Sequence, residues 1–210
     1  MKKKQILMGL ALLSAFVLWT AAVRQIDVQA IGPQGSAVGF AALNGFVHTL
    51  TGVHMALYHV TDWLSLIPLG FAVGFGLLGL VQWMKRKQLG KVDRSILALG
   101  GFYLAVLAVY ALFERVVVNY RPVLIEGALE VSYPSSTTVL VLCVMMTAIQ
   151  QLRTRVRSTR GKVWITAVLT AFSVCMVVGR LLSGVHWFTD IVGGVLLSAG
   201  LVTLYQAAAE

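Results

Sequence analysis

The sequence predicts an all-α, polytopic membrane protein with six transmembrane helices. Of its 210 residues, 58% are hydrophobic and 12% are charged, against about 45–50% and about 25% in soluble globular domains. The mean hydropathy is +0.83 and the chain has 20 glycines, which let helices approach closely in a membrane. Runs of about 20 apolar residues plus short loops fill this length six times. We therefore expect a single membrane domain over residues 1–210 and no separate soluble domain.

Six apolar runs supply the predicted spans, at about residues 6–23, 63–83, 95–113, 135–152, 163–178 and 191–205. The first follows a basic start, so it is either an uncleaved span or a secretory signal peptide, and we favour the span. Asp62 is the predicted N-cap of the second run, with a bend at Pro68. The last two runs are short for a hydrocarbon core of about 30 Å, which predicts that their ends lie inside protein.

Residues 24–62 form a more polar segment on the outer side. Gly32 and Pro33 indicate a turn. Apolar residues then recur at helical spacing, which predicts an interfacial amphipathic helix; they are Phe40, Leu43, Val47 and Leu50.

The net charge of +9 comes mainly from three basic clusters. Even numbers of spans separate them, so they face one side, and the positive-inside rule makes that side the cytoplasm. Both termini are then cytoplasmic, and residues 24–62, 114–134 and 179–190 lie outside. Anionic lipid headgroups account for the clusters, so membrane lipids and not nucleic acid are the expected partners. The clusters are Lys2 to Lys4, the group Lys85, Arg86, Lys87, Lys91 and Arg94, and the group Arg153, Arg155, Arg157, Arg160 and Lys162.

Ionisable residues also gather at the outer ends of spans three to six, and charges at membrane depth indicate function. His186 and Asp190 are four apart, so on a helix the carboxylate would lie one turn from the imidazole and orient it. The alternative makes Asp190 an N-cap and His186 an interfacial polar residue. Arg180, six residues before His186, favours the functional interpretation. The remaining ionisable residues of these outer segments include Glu114, Arg115, Arg121, Glu126 and Glu130.

Two further motifs face the same side. Arg121 precedes a proline after the third span, and hydroxyl residues follow Pro134 where the fourth begins. Free backbone N–H groups and the positive end of a helix dipole at such a start bind phosphate, and arginines can clamp the same oxyanion. A proline turn and a Ser/Thr cap would explain each piece separately, but not their common location. The predicted phosphate-binding residues are Arg121, Arg180, Ser135, Ser136 and Thr137.

Together these residues resemble the signature of the type 2 phosphatidic acid phosphatases, relatives of bacterial acid phosphatases and vanadium haloperoxidases. That signature runs K-x6-R-P, P-S-G-H and S-R-x5-H-x3-D at the outer ends of a six-helix core. The chain is similar over about residues 95–205, and the third motif is the most specific. The matching residues are Arg121-Pro122, Pro134-Ser135, and the set Arg180, His186 and Asp190.

The resemblance implies roles for these residues. His186 would be the nucleophile that forms a phosphohistidine, with Asp190 orienting it. Arg121, Arg180 and Ser135 would bind phosphate. No metal or other cofactor is implied.

The chain departs from the signature at positions that bear on its chemistry. Glu114 stands at the family's lysine, Thr137 at its second-motif histidine and Gly179 at its serine. The missing histidine resembles a general acid for the leaving oxygen, a role that contributes about 10²–10⁴ in rate. Arg115 is one candidate to replace the lysine charge, although one residue along a helix is a turn of about 100°. Alternatively Glu114 pairs with an arginine.

The departures leave two interpretations. Either the chain is a catalytically altered relative that binds or transfers lipid phosphate groups, or its substrate needs no general acid. A diphosphate expels a phosphate whose second pKa is about 6, whereas a monoester must expel an alkoxide. The preferred substrate is therefore a polyprenyl diphosphate such as undecaprenyl diphosphate, reached from outside the cell membrane. A small transporter has less support, because polar residues do not interrupt the spans.

Other candidate groups are weaker. The histidines His48, His54 and His59 lack metal-ligand spacing, so no metal site is expected. The tryptophans fall near span ends, which is typical of an aromatic belt; they are Trp19, Trp63, Trp83, Trp164 and Trp187.

Overall fold

The structure is a computed structural model that describes residues 2–209. Helices make up 77% of it and it contains no strands over those residues. The α-helices are α1 (Lys2–Gln25), α2 (Ala41–Thr51), α3 (Met55–Leu64), α4 (Leu66–Arg86), α5 (Arg94–Arg115), α6 (Ser136–Arg155), α7 (Thr159–Leu182) and α8 (Phe188–Ala209).

Six segments of the described chain are long and apolar enough to cross a membrane. They are α1, the pair α3 and α4 together, and α5 to α8. The predicted fold class, an all-α polytopic membrane protein with six spans, is confirmed.

Two details of the predicted spans are wrong. The last two are not short, because α7 has 24 residues and α8 has 22, and 22 residues at 1.5 Å each extend ~33 Å. Their helices simply continue through the polar residues that bound the apolar runs. Asp62 is also not an N-cap, since it lies inside α3.

The predicted bend at Pro68 falls earlier, at Ser65 between α3 and α4. Pro68 has no N–H to donate to the carbonyl of Leu64, and its ring crowds that carbonyl. The helix therefore restarts at Leu66, which places Pro68 in the first turn of α4, where a proline is tolerated.

The two central helices are α6 and α8. In their most apolar stretches 61% and 50% of residues are buried, against 11–22% in the other spans. α1 packs along α8 through small residues: a Cβ on Gly9 would lie 2.7 Å from Leu204, and one on Gly200 would lie 2.7 Å from Leu13. Glycine at these positions therefore allows the close approach.

Opposite ends of the bundle carry different chemistry. At one end Asp93 accepts from Arg86 at 2.9 Å and lies 3.9 Å from Arg155, so the second and third basic clusters meet there. Hydrogen bonds from Arg86 and Gln82 lower the pKa of Asp93. At the other end the starts of α6 and α8 are joined, because the Ser135 N–H donates to the Asp190 carbonyl at 3.1 Å.

Candidate active site

His186 lies at the centre of the joined end, in the turn between α7 and α8, and is 3% exposed. Its Nε2 is 3.3 Å from Nη1 of Arg121, and its Nδ1 is 3.3 Å from Oγ of Ser132. Nδ1 is also 3.7 Å from Oδ2 of Asp190, beyond direct hydrogen-bond distance. The two ring nitrogens therefore face a cation on one side and a hydroxyl–carboxylate pair on the other.

Ser132 connects His186 to Asp190. Its hydroxyl donates to Oδ2 of Asp190, which leaves its oxygen to accept from an Nδ1–H. This arrangement favours the tautomer whose Nε2 carries a lone pair. Asp190 is thus the predicted partner of His186, but it acts mainly through a serine.

The backbone around His186 differs from the predicted helix, because α8 begins only at Phe188. Asp190 sits in the first turn, and its Oδ2 accepts from the backbone N–H of Trp187 at 2.9 Å. A first-turn carboxylate that reaches back to the N-cap N–H is the acidic half of a capping box. Asp190 therefore lies inside the first turn and is not the N-cap of the alternative interpretation, and His186 is buried rather than interfacial.

Two asparagines hold the start of α8. The Asn119 amide donates to Oδ1 of Asp190 at 3.1 Å and to Oγ1 of Thr189 at 3.3 Å. Asn44 of α2 donates to the same Thr189 hydroxyl at 3.0 Å and accepts from the Thr189 N–H at 3.2 Å. All four residues are buried, so this network fixes the carboxylate firmly.

A short antiparallel pairing brings Arg121 and Ser132 to the histidine. The Arg121 N–H donates to the Glu130 carbonyl at 2.9 Å, and the Ser132 N–H donates to the Asn119 carbonyl at 3.0 Å. The side chain of Glu130 also places Oε2 2.9 Å from Nε of Arg121. Glu130 therefore neutralises part of the arginine charge.

Arg180 projects from the last turns of α7 and is 1% exposed. Its Nη1 donates to Oγ1 of Thr61 at 3.3 Å and lies 3.8 Å from Oδ1 of Asp62. Its guanidinium carbon lies 4.8 Å from the ring centre of Tyr58, and that of Arg121 lies 5.8 Å from the same ring. Nε of Arg180 is buried without a hydrogen-bond partner, so it remains available to an anion.

The electrostatics keep His186 neutral. Burial lowers its pKa to about 4, with Arg121 and Arg180 adding to the effect and Asp190 opposing it. An imidazole with this pKa is uncharged at neutral pH, so one of its ring nitrogens carries a lone pair instead of a proton.

The hydroxyl residues at the start of α6 cap the helix or line a cavity. Ser135 is its N-cap, and its Oγ accepts from the Thr138 N–H at 3.4 Å. Ser136 and Thr137 instead line a cavity of about 430 Å³ between α4, α5 and α6, and so does Glu114. The lining is mainly apolar and reaches Ser132, so the cavity approaches the histidine.

The remaining predicted residue, Arg115, is exposed and donates to the carbonyl of Ala111 on its own helix at 3.1 Å.

Trp187 is not part of an interfacial belt. It is 2% exposed, and its indole N–H donates to the Tyr120 carbonyl at 2.7 Å. Trp187 is therefore buried in the turn that carries His186, next to the site.

Sequence reasoning missed several residues of this site. Ser132, Asn119 and Asn44 form its hydrogen bonds, and Tyr58 and Thr61 contact Arg180. Asn119 was adjacent to a recognised motif, so its position was a usable signal. The others lie in segments whose polar residues look ordinary in sequence. Over residues 2–209 no three His, Cys, Asp or Glu side chains come together as metal ligands.

Six apolar helices define the class as a multi-pass membrane protein, and a buried histidine, two arginines and a carboxylate lie together at one end of the bundle. Residues 121–209 match the family model of the PAP2 superfamily. This match confirms the resemblance to the type 2 phosphatidic acid phosphatases over the residues that include Arg121, Arg180, His186 and Asp190.

One solved structure is similar in fold: the transmembrane PAP2-type phosphatidylglycerolphosphate phosphatase from Bacillus subtilis. The TM-score is 0.53 at 19% identity, covering 95% of this chain and 93% of that one. At this identity the likeness establishes the shared fold. A comparison with curated proteins found no match.

Proposed function

We propose that this chain is a membrane lipid phosphatase that hydrolyses a lipid phosphate, preferentially a polyprenyl diphosphate such as undecaprenyl diphosphate, through a phosphohistidine. The observation that carries the proposal is the two-sided hydrogen bonding of buried His186, with Arg121 at Nε2 and Ser132 with Asp190 at Nδ1. The PAP2 match supports the phosphatase class.

In the first step the terminal phosphate binds between Arg121 and Arg180 and displaces Arg121 from Nε2. The Nε2 lone pair forms a bond to phosphorus, and the bond from phosphorus to the bridging oxygen breaks. The electron pair leaves with that oxygen as a lipid monophosphate. The positive charge that forms on the imidazole is stabilised by Asp190 through the Ser132 hydroxyl.

In the second step a water oxygen forms the new bond to phosphorus. The phosphorus–nitrogen bond breaks, its electron pair returns to Nε2, and dihydrogen phosphate leaves with both water protons. Atoms and charges balance without a metal ion or other cofactor, and His186 ends neutral as it began.

The preference for a diphosphate rests on Thr137. A threonine hydroxyl does not protonate a leaving alkoxide at neutral pH, whereas a leaving phosphate with a second pKa of about 6 departs without a proton. The cavity that holds Thr137 is mainly apolar. It suits the part of a lipid tail nearest the headgroup, with the rest of the tail in the bilayer.

The sidedness supports the same substrate. The basic clusters at one end favour a cytoplasmic location for that end and for both termini. The site at the other end then faces outside. A polyprenyl lipid would reach it laterally from the outer half of the cell membrane.

The deciding experiment is phosphate release by detergent-purified protein from undecaprenyl diphosphate and from phosphatidic acid. We expect faster release from the diphosphate and loss of at least 10³-fold in His186→Ala, since the nucleophile is gone. His54→Ala is the matched control, because His54 is exposed and lies outside the histidine–arginine cluster. Faster release from phosphatidic acid would contradict the diphosphate preference.

A second variant tests the leaving-group argument. Thr137→His should raise monoester hydrolysis while changing diphosphate hydrolysis little, because only the monoester needs a proton donor. If the parent releases phosphate from neither substrate, the function is instead binding or transfer of lipid phosphate groups, and the proposed hydrolysis is wrong. Equal activity of the parent and His186→Ala would contradict the covalent mechanism.

A further inference from the structure

The two arginines of the site share one aromatic neighbour on a helix outside the matched family region. Tyr58 belongs to α3, and the guanidinium carbons of Arg180 and Arg121 lie over its ring at 4.8 Å and 5.8 Å from the centre. Both distances fall within cation–π range. One side chain therefore contacts both predicted phosphate binders.

The same turn of α3 also fixes Arg180 by hydrogen bonds. Nη1 of Arg180 donates to the Tyr58 carbonyl at 3.5 Å and to Oγ1 of Thr61 at 3.3 Å. The Thr61 hydroxyl in turn donates within α3, to the Leu57 or Tyr58 carbonyl. Rotating Thr61 would break these bonds, so its methyl group is held in place as well.

Glycine lets α3 approach this closely. A Cβ on Gly179 would lie 2.9 Å from Cγ2 of Thr61, too close for real contacts. A Cβ on Gly184, whose φ is +67°, would lie 1.8 Å from the carbonyl oxygen of Gly52. The His54 N–H then donates to the Ser183 carbonyl at 2.9 Å. The segment before α3 is thus docked on the turn that carries the histidine.

We propose that α3 forms one wall of the phosphate site. In it Tyr58 positions the guanidiniums of Arg121 and Arg180, and Gly179 permits α3 to dock on α7. This inference rests on the proposed phosphate site. It assigns a structural purpose to Gly179, which stands at the serine of the family signature.

The chemistry explains why an aromatic ring serves here. The negative face of the ring stabilises two neighbouring cations without using their N–H groups. Nε of Arg180 indeed remains buried and unpartnered. Glu130 already pairs with Arg121 and Asp62 lies near Arg180. A further carboxylate in the position of the ring would compete with phosphate for the remaining N–H donors, whereas a ring leaves those donors for the ligand.

The test measures binding of inorganic phosphate to the full-length protein in detergent by calorimetry, together with steady-state kinetics. Tyr58→Phe keeps the ring and should bind phosphate within about twofold of the parent. Tyr58→Leu should bind about tenfold more weakly and raise KM more than it lowers kcat. Trp63→Leu is the matched control, since Trp63 is an aromatic residue of the same helix that is 73% exposed.

Two results would overturn the proposal. One is equal phosphate affinity in Tyr58→Leu and Tyr58→Phe. The other is absence of phosphate binding in the parent protein. Thermal unfolding midpoints of the four proteins identify any variant that is misfolded. If Tyr58→Leu is misfolded, Tyr58→Phe still tests the role of the ring, because weaker phosphate binding in Tyr58→Phe than in the parent would assign the effect to the hydroxyl instead.

A second pair of variants tests the docking. Gly179→Ala should weaken phosphate binding, because its methyl group displaces Thr61 and with it Tyr58. Adding Thr61→Ser removes Cγ2, keeps the hydroxyl and should restore the affinity. Gly179→Ala with unchanged affinity, or a double variant no better than the single one, would contradict the docking argument.

These readouts separate the inference from the proposed function, because phosphate binding requires no turnover. If phosphate binds with the expected affinities in the Tyr58 variants but no hydrolysis occurs, the proposed phosphatase is wrong and the role of α3 in the phosphate site stands. Hydrolysis with no effect of Tyr58 would do the reverse.

Discussion

The surroundings of His186 keep its imidazole neutral. Burial and two nearby arginines hold its pKa at about 4, so it is neutral under ordinary conditions. Ser132 and Asp190 hold Nδ1, which leaves the lone pair on Nε2. In water the imidazole would be half protonated near pH 6.5. The environment therefore extends the pH range of the neutral imidazole toward acid.

This shift predicts a pH dependence. Because the folded pKa lies below the unfolded value, the unfolded chain binds a proton that the folded chain excludes. The contribution of His186 to the free energy of unfolding is therefore complete above about pH 6.5 and is lost as the pH falls toward 4. Over that range the free energy of unfolding changes by up to about 1.4 kcal/mol per pH unit. NMR of isotope-labelled histidine, assigned with His186→Gln, should show His186 neutral at pH 5.5. Titration of that signal near 6.5 would contradict the buried environment.

Ser132 should matter for turnover rather than for binding. Ser132→Ala leaves a gap between the imidazole and Asp190, so kcat should fall about 10²-fold from misorientation. KM should change little, since Arg121 and Arg180 are untouched. Ser132→Thr keeps the hydroxyl and should recover much of the rate. Initial-rate kinetics on undecaprenyl diphosphate measure this, and an unchanged kcat in Ser132→Ala would show that Asp190 orients the histidine alone.

At the scale of single residues the sequence was informative where spacing matters. Arg121, Arg180, His186 and Asp190 were predicted together, and they do converge. Ser132 was not predicted, because a lone serine in a loop has no periodicity or spacing to distinguish it. Its importance arises from the pairing of residues 119–121 with 130–132, which depends on tertiary contacts.

At the scale of elements, α2 is more than a surface helix. The spacing of its apolar residues predicted a helix, and Ala41–Thr51 is one. The same pattern gave no sign that Asn44 on its other face reaches the start of α8. Amphipathic periodicity identifies the apolar face of a helix, but a single buried amide depends on which element packs against it.

Replacing Asn44 should loosen the start of α8. In Asn44→Ala the buried N–H of Thr189 loses its acceptor, which costs about 1–3 kcal/mol. The midpoint of thermal unfolding in detergent should therefore fall. Thr49→Ala is the control, because Thr49 bonds only to the Gly45 carbonyl of its own helix. Equal midpoints in the two variants would mean that the Asn44 contact adds no stability.

At the scale of the whole molecule, hydropathy and charge predicted six spans and their order because both properties are additive along the chain. Helix ends were predicted less well, since polar residues such as Arg180 continue a helix when protein surrounds them. The central places of α6 and α8 were not predictable from composition, because their burial depends on the packing of all the others.

The proposed sidedness predicts a labelling pattern. In a Cys175→Ala background, Glu126→Cys should react with a membrane-impermeant maleimide on intact cells. Gln88→Cys should react only after permeabilisation. Both positions are exposed, and Cys143 is buried. The opposite pattern would place the histidine site in the cytoplasm and exclude a substrate on the outer side.

The packing of α1 along α8 has a consequence for biosynthesis. α1 precedes α8 by four intervening spans and finds its main partner only when α8 has been made, and α8 also carries Asp190. Contacts between such distant parts of a chain form late. A polypeptide interrupted before α8 therefore lacks both a cover for its first helix and a working site. In such a fragment α1 has no packing partner, and cellular proteases degrade membrane proteins with unpacked helices. Truncation should therefore lead to degradation rather than to partial function.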